Sequence, residues 1–203
     1  MGALTTIKGK VSGLLLFQPR TFTDSRGFFT ETYHAEKYRE AGLDRTFVQD
    51  NLSFSHRHVL RGLHFQSKHP QGKIVFVVRG EIWDVAVDIR RGSPTFGHWE
   101  GHTLSGDNHH QLYIPEGFAH GFVVLSETAS VMYKCTDFYH PGDDRGLLWT
   151  DPGLGIKWPV ERPHLSGKDA SLPTLAEVDE SILPPFSGVT SCKGRLIDGG
   201  AVE

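Results

Sequence analysis

The chain has 203 residues, of which 38% are hydrophobic and 22% are charged, and its formal net charge at pH 7 is −3. This length suffices for one domain with a substantial core, and the charge argues against a nucleic-acid-binding domain, which is usually strongly basic. No apolar run approaches the roughly 18 residues of a membrane span. The N-terminal residues lack the pattern of a secretory signal, and two cysteines, Cys135 and Cys192, make no disulfide framework. We therefore expect a reducing, cytoplasmic location with no membrane or nucleic-acid partner.

Short strand-like runs separated by Gly, Pro, Asp and Asn dominate the chain. The clearest of them are residues 13–17, 73–78, 82–88, 121–125 and 131–136. Within the third run, apolar residues at 83, 85 and 87 alternate with Asp84, Ala86 and Asp88, which predicts a half-buried strand. The glycine in Arg79-Gly80-Glu81 predicts a hairpin between the second and third runs.

Helical patterns are few and short. Residues 34–41 give the best candidate, and residues 167–170 and 175–180 give weaker ones. Many short strands with turns between them predict an antiparallel sandwich or barrel. From about Pro184 the chain becomes rich in Gly and Ser and loses its periodicity, so we expect one domain over residues 1–183 and an irregular tail over 184–203.

Two histidines on separate strand-like segments raise the question of a metal site. The segment Pro115-x-Gly117-x-x-His120 matches half of the cupin pattern, which belongs to a small double-sheet β-barrel. Metal-binding cupins also carry His-x-His followed by Glu, but here Gln66 stands two residues after His64. Two histidines without a third strong ligand make a poor transition-metal site. The pattern therefore predicts a barrel without a metal.

A polar pocket without a metal can still transfer protons. Histidine is the usual general base near neutral pH, and a lysine can stabilise a developing oxyanion. A tyrosine on a facing strand can supply a proton from the opposite side, and a carboxylate such as Asp169 can orient the histidine. Together these groups would suit proton abstraction next to a carbonyl with inversion. The other reading, ordinary polar residues on strands, stays open on spacing alone.

A series of motifs resembles the dTDP-4-dehydrorhamnose 3,5-epimerase family from about Gly13 to Leu175. The segments that carry the resemblance are Asp24-x-Arg26-Gly27-Phe28-Phe29-x-Glu31, Phe47-Val48-Gln49-Asp50-Asn51, Leu60-Arg61-Gly62-Leu63-His64-Phe65-Gln66, Gln71-Gly72-Lys73, Asp84-Val85-Ala86-Val87-Asp88-Ile89-Arg90, Ser93-Pro94-Thr95-Phe96-Gly97, Ile114-Pro115-Glu116-Gly117-Phe118-Ala119-His120-Gly121-Phe122 and Leu165-Ser166-x-Lys168-Asp169. This resemblance implies an all-β, cupin-like double-sheet β-barrel (a jelly roll) with a few short helices.

The resemblance also implies roles for four catalytic residues. His64 would be the base and Asp169 its orienting partner, while Tyr133 would donate a proton on the far side of the sugar ring. Lys73 would stabilise the enolate oxygen at C4 of dTDP-4-dehydro-6-deoxy-D-glucose. Because C3 and C5 both flank the C4 ketone, one enolate-forming site could invert both centres to give dTDP-4-dehydro-L-rhamnose. No redox cofactor or metal would be needed.

For substrate binding, the family pattern points to a second set of polar residues. These are Arg26, Glu31, Gln49, Asn51, Arg61, His120, Tyr139, Asp144 and Lys168. The planar guanidinium group of arginine can donate two parallel hydrogen bonds to the oxygens of a diphosphate. Tyr139 would stack on thymine. The resemblance further implies a homodimer in which Arg26 and Glu31 reach the partner's site.

Two details of this pattern are unsettled in the sequence. Asp144 stands where the family commonly has Glu, so it could keep that role or form a solvated turn with Asp143. Strict strand alternation puts Arg61 and His64 on opposite faces, and both reach one pocket only if Gly62 forms a bulge or if Arg61 serves another wall.

Three other functions share parts of this sequence pattern. An enzyme of secondary metabolism that inverts one centre or isomerises the ketone could retain the same His/Asp pair. A non-catalytic nucleotide-sugar-binding cupin is disfavoured because His64, Asp169 and Tyr133 are all present. A metal-dependent cupin oxygenase is disfavoured by Gln66.

Overall fold

The computed structural model describes residues 4–187, in which antiparallel strands predominate. The strands are β1 (Thr5–Lys8), β2 (Leu15–Gln18), β3 (Thr21–Asp24), β4 (Gly27–Thr30), β5 (Gln49–His56), β6 (Leu60–Gln66), β7 (Lys73–Arg79), β8 (Glu81–Asp88), β9 (Trp99–Ser105), β10 (Gln111–Ile114), β11 (Phe118–Val124), β12 (Thr128–Cys135) and β13 (Asp144–Gly146). The helices are α1 (Ala35–Glu40), α2 (Gly167–Ala170) and three 3₁₀ helices at Pro141–Asp143, Leu175–Glu177 and Glu180–Ile182. None of the helices described is long and apolar enough to cross a membrane.

Two large sheets form the body of the fold. The six-stranded sheet has the order β1-β2-β10-β7-β12-β5, and the five-stranded sheet has the order β13-β6-β11-β8-β9. Strands β3 and β4 form a separate two-stranded hairpin. The predicted all-β, cupin-like double-sheet barrel with a few short helices is therefore confirmed.

Apolar side chains from both large sheets fill the space between them. Val75 and Leu112 of the six-stranded sheet pack in one cluster with Ile82 and Phe122 of the five-stranded sheet. Burial of a side chain of this size stabilises the fold by about 1.5–3 kcal/mol. This shared core fixes the position of the two sheets relative to each other.

The outer face of the five-stranded sheet is covered as well. Leu63 and Val85 pack there against residues that follow the last strand, including Leu154 and Leu183. The prediction that residues 82–88 form a half-buried strand is therefore wrong, because other parts of the chain cover β8 on both faces. Its carboxylate at Asp84 is fully buried.

The predicted hairpin at residues 79–81 is also wrong. Strand β7 pairs with β10 and β12, whereas β8 pairs with β11 and β9, so the two consecutive strands lie in different sheets. Gly80 has a φ of +86°, and a Cβ at this position would lie 2.1 Å from the Thr128 carbonyl oxygen. The glycine signal was correct for a tight turn, but the turn carries the chain from one sheet to the other.

The start of the predicted tail runs beside Arg91. The Arg91 amide donates to the Pro184 carbonyl at 2.8 Å, and the Phe186 amide donates to the Arg91 carbonyl at 2.9 Å. Residues 188–203, which make up most of the predicted tail, lie outside the described residues.

A bulge in β6 decides which side chains share the inner face. Arg61 pairs with Phe122 and His64 pairs with His120, so two residues of β6, beginning at Gly62, stand opposite one residue of β11. Positions two apart on a strand share a face, and paired residues do too. Arg61 and His64 therefore face the same side, as the sequence allows only with a bulge at Gly62.

Gly62→Ala is expected to destabilise the fold and to lower activity. Gly62 has a φ of +119°, and a Cβ there would lie 2.6 Å from both the Gly121 Cα and the His120 carbonyl oxygen. We expect a loss of about 2–4 kcal/mol in the free energy of unfolding, measured by urea denaturation. Gly142→Ala, where a Cβ meets nothing within 4 Å, is the matched control. Equal stability of the two variants would contradict the requirement for glycine in this bulge.

Candidate active site

A cavity of about 370 Å³ opens between the two sheets. Its walls are predominantly polar, and seven of the predicted site residues contribute to them. The lining residues are Gln49, Asn51, His64, Phe65, Gln66, Gln71, Lys73, Tyr133, Tyr139 and Asp144.

The wall on the six-stranded sheet follows from strand register. Tyr133 of β12 pairs with Asn51 of β5, and Cys135 pairs with both Gln49 and Lys73. Paired residues and residues two apart share a face, so these five side chains all project to the inner face. Three adjacent strands thus present a tyrosine, a lysine and two amides to one cavity.

The opposite wall holds His64 and its carboxylate partner. His64 Nε2 lies 2.7 Å from Asp169 Oδ1, although the two residues are 105 positions apart. Asp169 is buried in α2, where its amide donates to the Ser166 side chain that caps the helix. This short capped helix fixes the carboxylate behind the imidazole. The predicted pair is therefore brought together, and Nδ1 is the ring nitrogen left to accept a proton.

The protonation of His64 is set by opposing effects. Burial lowers the pKa of His64 below its usual value, while the hydrogen bond that His64 donates to Asp169 raises it and offsets part of that shift. The net direction is downward, so the neutral form of the imidazole is favoured. A neutral histidine in contact with a buried carboxylate is in the state that a general base requires.

Lys73 is a half-buried cation of the site. Burial lowers the pKa of its ammonium, and the nearby carboxylates of Asp84 and Asp144 act in the opposite direction. Its Nζ lies 6.0 Å from the centre of the Tyr133 ring. A desolvated ammonium interacts strongly with any negative charge that develops beside it.

Tyr133 projects from the six-stranded sheet, whereas His64 projects from the five-stranded sheet. Burial raises the pKa of the Tyr133 hydroxyl above its usual value, and Arg61 lowers it by a smaller amount. The phenol therefore keeps its proton near neutral pH and can donate it. A base and an acid stand on opposite walls of one cavity.

A network of hydrogen-bonded polar side chains lies at the rim of the cavity. The Tyr139 hydroxyl donates to Asp144 Oδ2 at 3.0 Å, and Lys168 forms an ion pair with the same oxygen. Burial raises the pKa of Asp144, but the hydrogen bonds from Lys168 and Tyr139 bring it below its usual value. Asp143 is buried and accepts the amides of residues 68 and 69. The two aspartates are therefore not a solvated turn, and Asp144 faces the cavity.

A second buried His–Asp pair lies on the inner face of the five-stranded sheet. His120 Nε2 lies 2.8 Å from Asp84 Oδ2, and Asp84 is fully buried. His120 pairs with His64 across β11 and β6, so it lies next to the base without lining the cavity itself. Sequence reasoning missed Asp84 because its alternation with apolar residues resembled a solvent-facing row. Asp84 lies on β8, which pairs with β11, the strand that carries His120. A carboxylate and a histidine on two strands of one barrel are the signal that could have identified the pair.

Five predicted binding residues are not among those that line the cavity: His120, Lys168, Arg61, Arg26 and Glu31. Arg61 is on the inner face but donates to the Ser55 hydroxyl at 3.0 Å. Arg26 pairs with Asp24 on the β3–β4 hairpin and is 87% exposed, and Glu31 pairs with Lys37. Within residues 4–187 of one chain, neither Arg26 nor Glu31 reaches the cavity.

Comparison with known proteins identifies one family. A family model described as dTDP-4-dehydrorhamnose 3,5-epimerase matches residues 8–177. The chain is 55% identical over 169 residues to a dTDP-4-dehydrorhamnose 3,5-epimerase of Neisseria gonorrhoeae; the match covers 83% of this chain and 52% of that protein, so the chain spans about half of that relative. It is 49% identical over 180 residues to the protein of the same name from Methanothermobacter thermautotrophicus, covering 87% of this chain and 97% of that one.

A solved structure agrees with these matches. The crystal structure of a dTDP-6-deoxy-D-glucose-3,5-epimerase from Legionella pneumophila, in complex with dTDP-4-keto-L-rhamnose, superposes with a TM-score of 0.89 at 49% sequence identity. The superposition covers 91% of this chain and 100% of that chain.

Proposed function

Because the chain belongs to the dTDP-4-dehydrorhamnose 3,5-epimerase family, we propose that it inverts C3 and C5 of dTDP-4-dehydro-6-deoxy-D-glucose to give dTDP-4-dehydro-L-rhamnose. The observation that carries this proposal is the arrangement of the cavity walls. The His64–Asp169 pair stands on one wall, and Tyr133 and Lys73 stand on the other. We further propose that residues 1–183 form the single epimerase domain, acting in the cytoplasm.

The reaction requires a proton to leave one face of a carbon and another to arrive on the opposite face. His64 removes the proton from C3 or C5, and the electron pair of that C–H bond moves into the C4 carbonyl. The enolate oxygen at C4 then lies against the Lys73 ammonium. When the enolate collapses, the Tyr133 hydroxyl gives its proton to the carbon from the far side, and solvent later restores both protonation states. The same groups act at both centres because both carbons flank C4.

The pKa shifts support this division of roles. Burial favours neutral His64, which accepts a proton, and protonated Tyr133, which donates one. Groups whose environments separate their protonation states in this way are suited to act as base and acid. We propose that His120, held by Asp84, contacts the sugar from beside the base.

We propose that the nucleotide end of the substrate lies towards the rim. Tyr139 is 49% exposed there and can stack on thymine, with Asp144 and Lys168 beside its hydroxyl. Gln49 and Asn51 line the adjoining strand with amide groups. Arg61 supplies a positive charge on the same inner face, where a guanidinium can bind a diphosphate.

We propose that the protein is a homodimer whose sites are completed across the interface. The β3–β4 hairpin exposes Phe28 (60%) and Phe29 (68%), and the outward face of edge strand β5 exposes Leu52 (69%) and Phe54 (56%). Exposed apolar surface of this size, on a sheet edge, favours association with another copy. In such a dimer, Arg26 and Glu31 on and after the hairpin would reach the partner's cavity.

A mixing experiment tests the shared site. Arg26→Ala is expected to weaken substrate binding at least about tenfold, and His64→Ala removes the base. When equal amounts of the two variants are unfolded together and refolded, about half of the dimers are heterodimers and each of these carries one site with both residues intact, so about a quarter of wild-type activity should return. Activity no greater than that of the separately refolded variants would contradict a site shared between subunits.

Tyr133→Phe is expected to separate proton removal from completed inversion. The phenyl ring preserves packing against the core, but the acid on the far wall is lost. We expect product formation to fall by about 10²-fold or more, while loss of the C3 hydrogen to D2O continues at a much higher fraction of the wild-type rate. An equal fall in both rates, followed by NMR, would show that Tyr133 is not the opposite-face acid.

A single-centre epimerase is the second candidate function. The same His64, Asp169 and Tyr133 would serve it, so the catalytic groups alone do not distinguish the two. The number of carbon positions that exchange with solvent does distinguish them.

A further inference from the structure

Three metal-ligating side chains meet at the rim, apart from the groups assigned to the reaction. The donor atoms of His69, Asp137 and His140 all lie within 4.8 Å of one another. The two imidazole rings are stacked, with centroids 3.9 Å apart and planes at 20°, and His69 Nδ1 lies 3.8 Å from Asp137 Oδ2. His69 precedes β7, whereas the other two follow β12, so two separate loops supply the cluster.

Buried polar side chains hold these two loops together. Gln66, which is 6% exposed, accepts from the His140 amide at 2.6 Å and donates to the His69 carbonyl at 2.8 Å. Asp143, which is 5% exposed, accepts from the His69 amide at 2.9 Å. Gln71 donates to the Asp137 carbonyl at 2.8 Å. The backbone of every member of the cluster is therefore fixed by a hydrogen bond with a neighbouring side chain.

The sequence restricts the two histidines further. Each is followed by a proline, at Pro70 and Pro141, and the residue before a proline is confined to extended conformations. His140 has such a conformation, with φ −113° and ψ 102°. Because the backbone at these residues is already restricted, it loses little conformational entropy when a ligand binds, so the entropic cost of binding is lower.

We propose that His69, Asp137 and His140 bind a divalent first-row transition-metal ion, with Zn²⁺ as the type case. Two imidazole nitrogens and one carboxylate oxygen form a donor set that Zn²⁺ accepts, with a fourth position for water. Tetrahedral binding needs donors about 3.4 Å apart, so exposed His69 and half-buried Asp137 and His140 would rotate, and the two imidazoles would leave their stacked arrangement, to close the set. The ion would clamp the loop before β7 to the loop after β12.

This clamp lies next to the nucleotide end of the cavity and takes no part in proton transfer. Tyr139 directly precedes His140, and Gln71 lines the cavity, so the ion would restrain both. The proposal concerns the stability and order of the rim. It does not depend on which reaction the cavity catalyses.

Metal titration of the whole chain tests the site. After exhaustive chelation and removal of the chelator, we expect calorimetry to show one Zn²⁺ per chain, and Co²⁺ to give the visible absorption of a low-symmetry, four- or five-coordinate ion. His69→Ala and His140→Ala should each weaken Zn²⁺ binding at least about tenfold. His98→Ala, which removes an exposed histidine outside the cluster, should bind Zn²⁺ like the wild type. Mg²⁺ should not bind, because imidazole suits it poorly.

Thermal denaturation gives a second readout. Zn²⁺ should raise the Tm of the wild type and of His98→Ala, and should raise that of His69→Ala by a clearly smaller amount, since the weakened site gains less binding energy. Unchanged Zn²⁺ affinity in both His69→Ala and His140→Ala, or no binding to the wild type, would overturn the proposal. Turnover at saturating substrate should persist in the metal-free protein and in His69→Ala, so loss of the rim site and failure of the proton-transfer mechanism give different results.

Discussion

His64→Ala should abolish exchange of both the C3 and the C5 hydrogens with solvent and lower turnover by about 10³-fold or more. In the wild type, His64 Nε2 lies 2.7 Å from Asp169, and burial lowers the pKa of His64. The imidazole is therefore neutral and oriented to act as the base of the cavity. Because one base serves both carbons, the two exchange rates should fall together. NMR in D2O with the 4-keto sugar nucleotide measures both rates in one sample.

His98→Ala is the control for this experiment, since His98 is exposed and distant in sequence from the cavity residues. It should exchange both positions at the wild-type rate. Exchange at either carbon at the wild-type rate in His64→Ala would exclude His64 as the base at that carbon. The folded state of the variant is checked by its denaturation curve.

Lys73→Met should lower turnover by about 10²–10³-fold without lowering stability. Methionine preserves most of the apolar stem but removes the charge that would face the enolate oxygen. Burial lowers the pKa of Lys73, which means that the folded state disfavours its charged form relative to the unfolded chain. Removal of that charge should leave the Tm equal or higher, with the full gain at pH values below the lowered pKa of the folded lysine, where both states carry the charge, and no gain above the unfolded pKa.

Lys134→Met is the matched control for Lys73→Met. Lys134 lies on the neighbouring strand but on its outward face, where it pairs with Asp50 at 2.8 Å. Its replacement should leave turnover unchanged. Turnover of Lys73→Met close to that of Lys134→Met would contradict the oxyanion role, and a large fall in its Tm would contradict the view that its buried charge is unfavourable for folding.

The class of fold could be predicted from local patterns, because many short strand-like runs are separated by turn residues. The partners of each strand could not be predicted in this way. The turn at Gly80 looked like a hairpin, yet β7 and β8 lie in different sheets, since each has both edges occupied by other strands. Pairing is decided by contacts far apart in sequence, which no local pattern records.

In the candidate site, too, local motifs predicted some residues, whereas other features depend on contacts between residues far apart in sequence. Motifs led to His64, Lys73 and Tyr133, and the structure places all three in one cavity. The face of Arg61 could not be decided from sequence, because a bulge appears only when the residues of β6 are counted against those of β11. Asp84 was missed because a carboxylate that alternates with apolar residues usually faces solvent, whereas this one is buried against His120.

The central claim is that one base acts at two carbons beside the C4 ketone. Its most direct test is NMR of dTDP-4-dehydro-6-deoxy-D-glucose in D2O with the purified wild-type protein. We predict that the C3 and C5 hydrogen signals are both lost and that the signals of the doubly inverted sugar appear. Exchange at one carbon alone would contradict inversion of both centres, and exchange at neither would contradict proton transfer by this cavity.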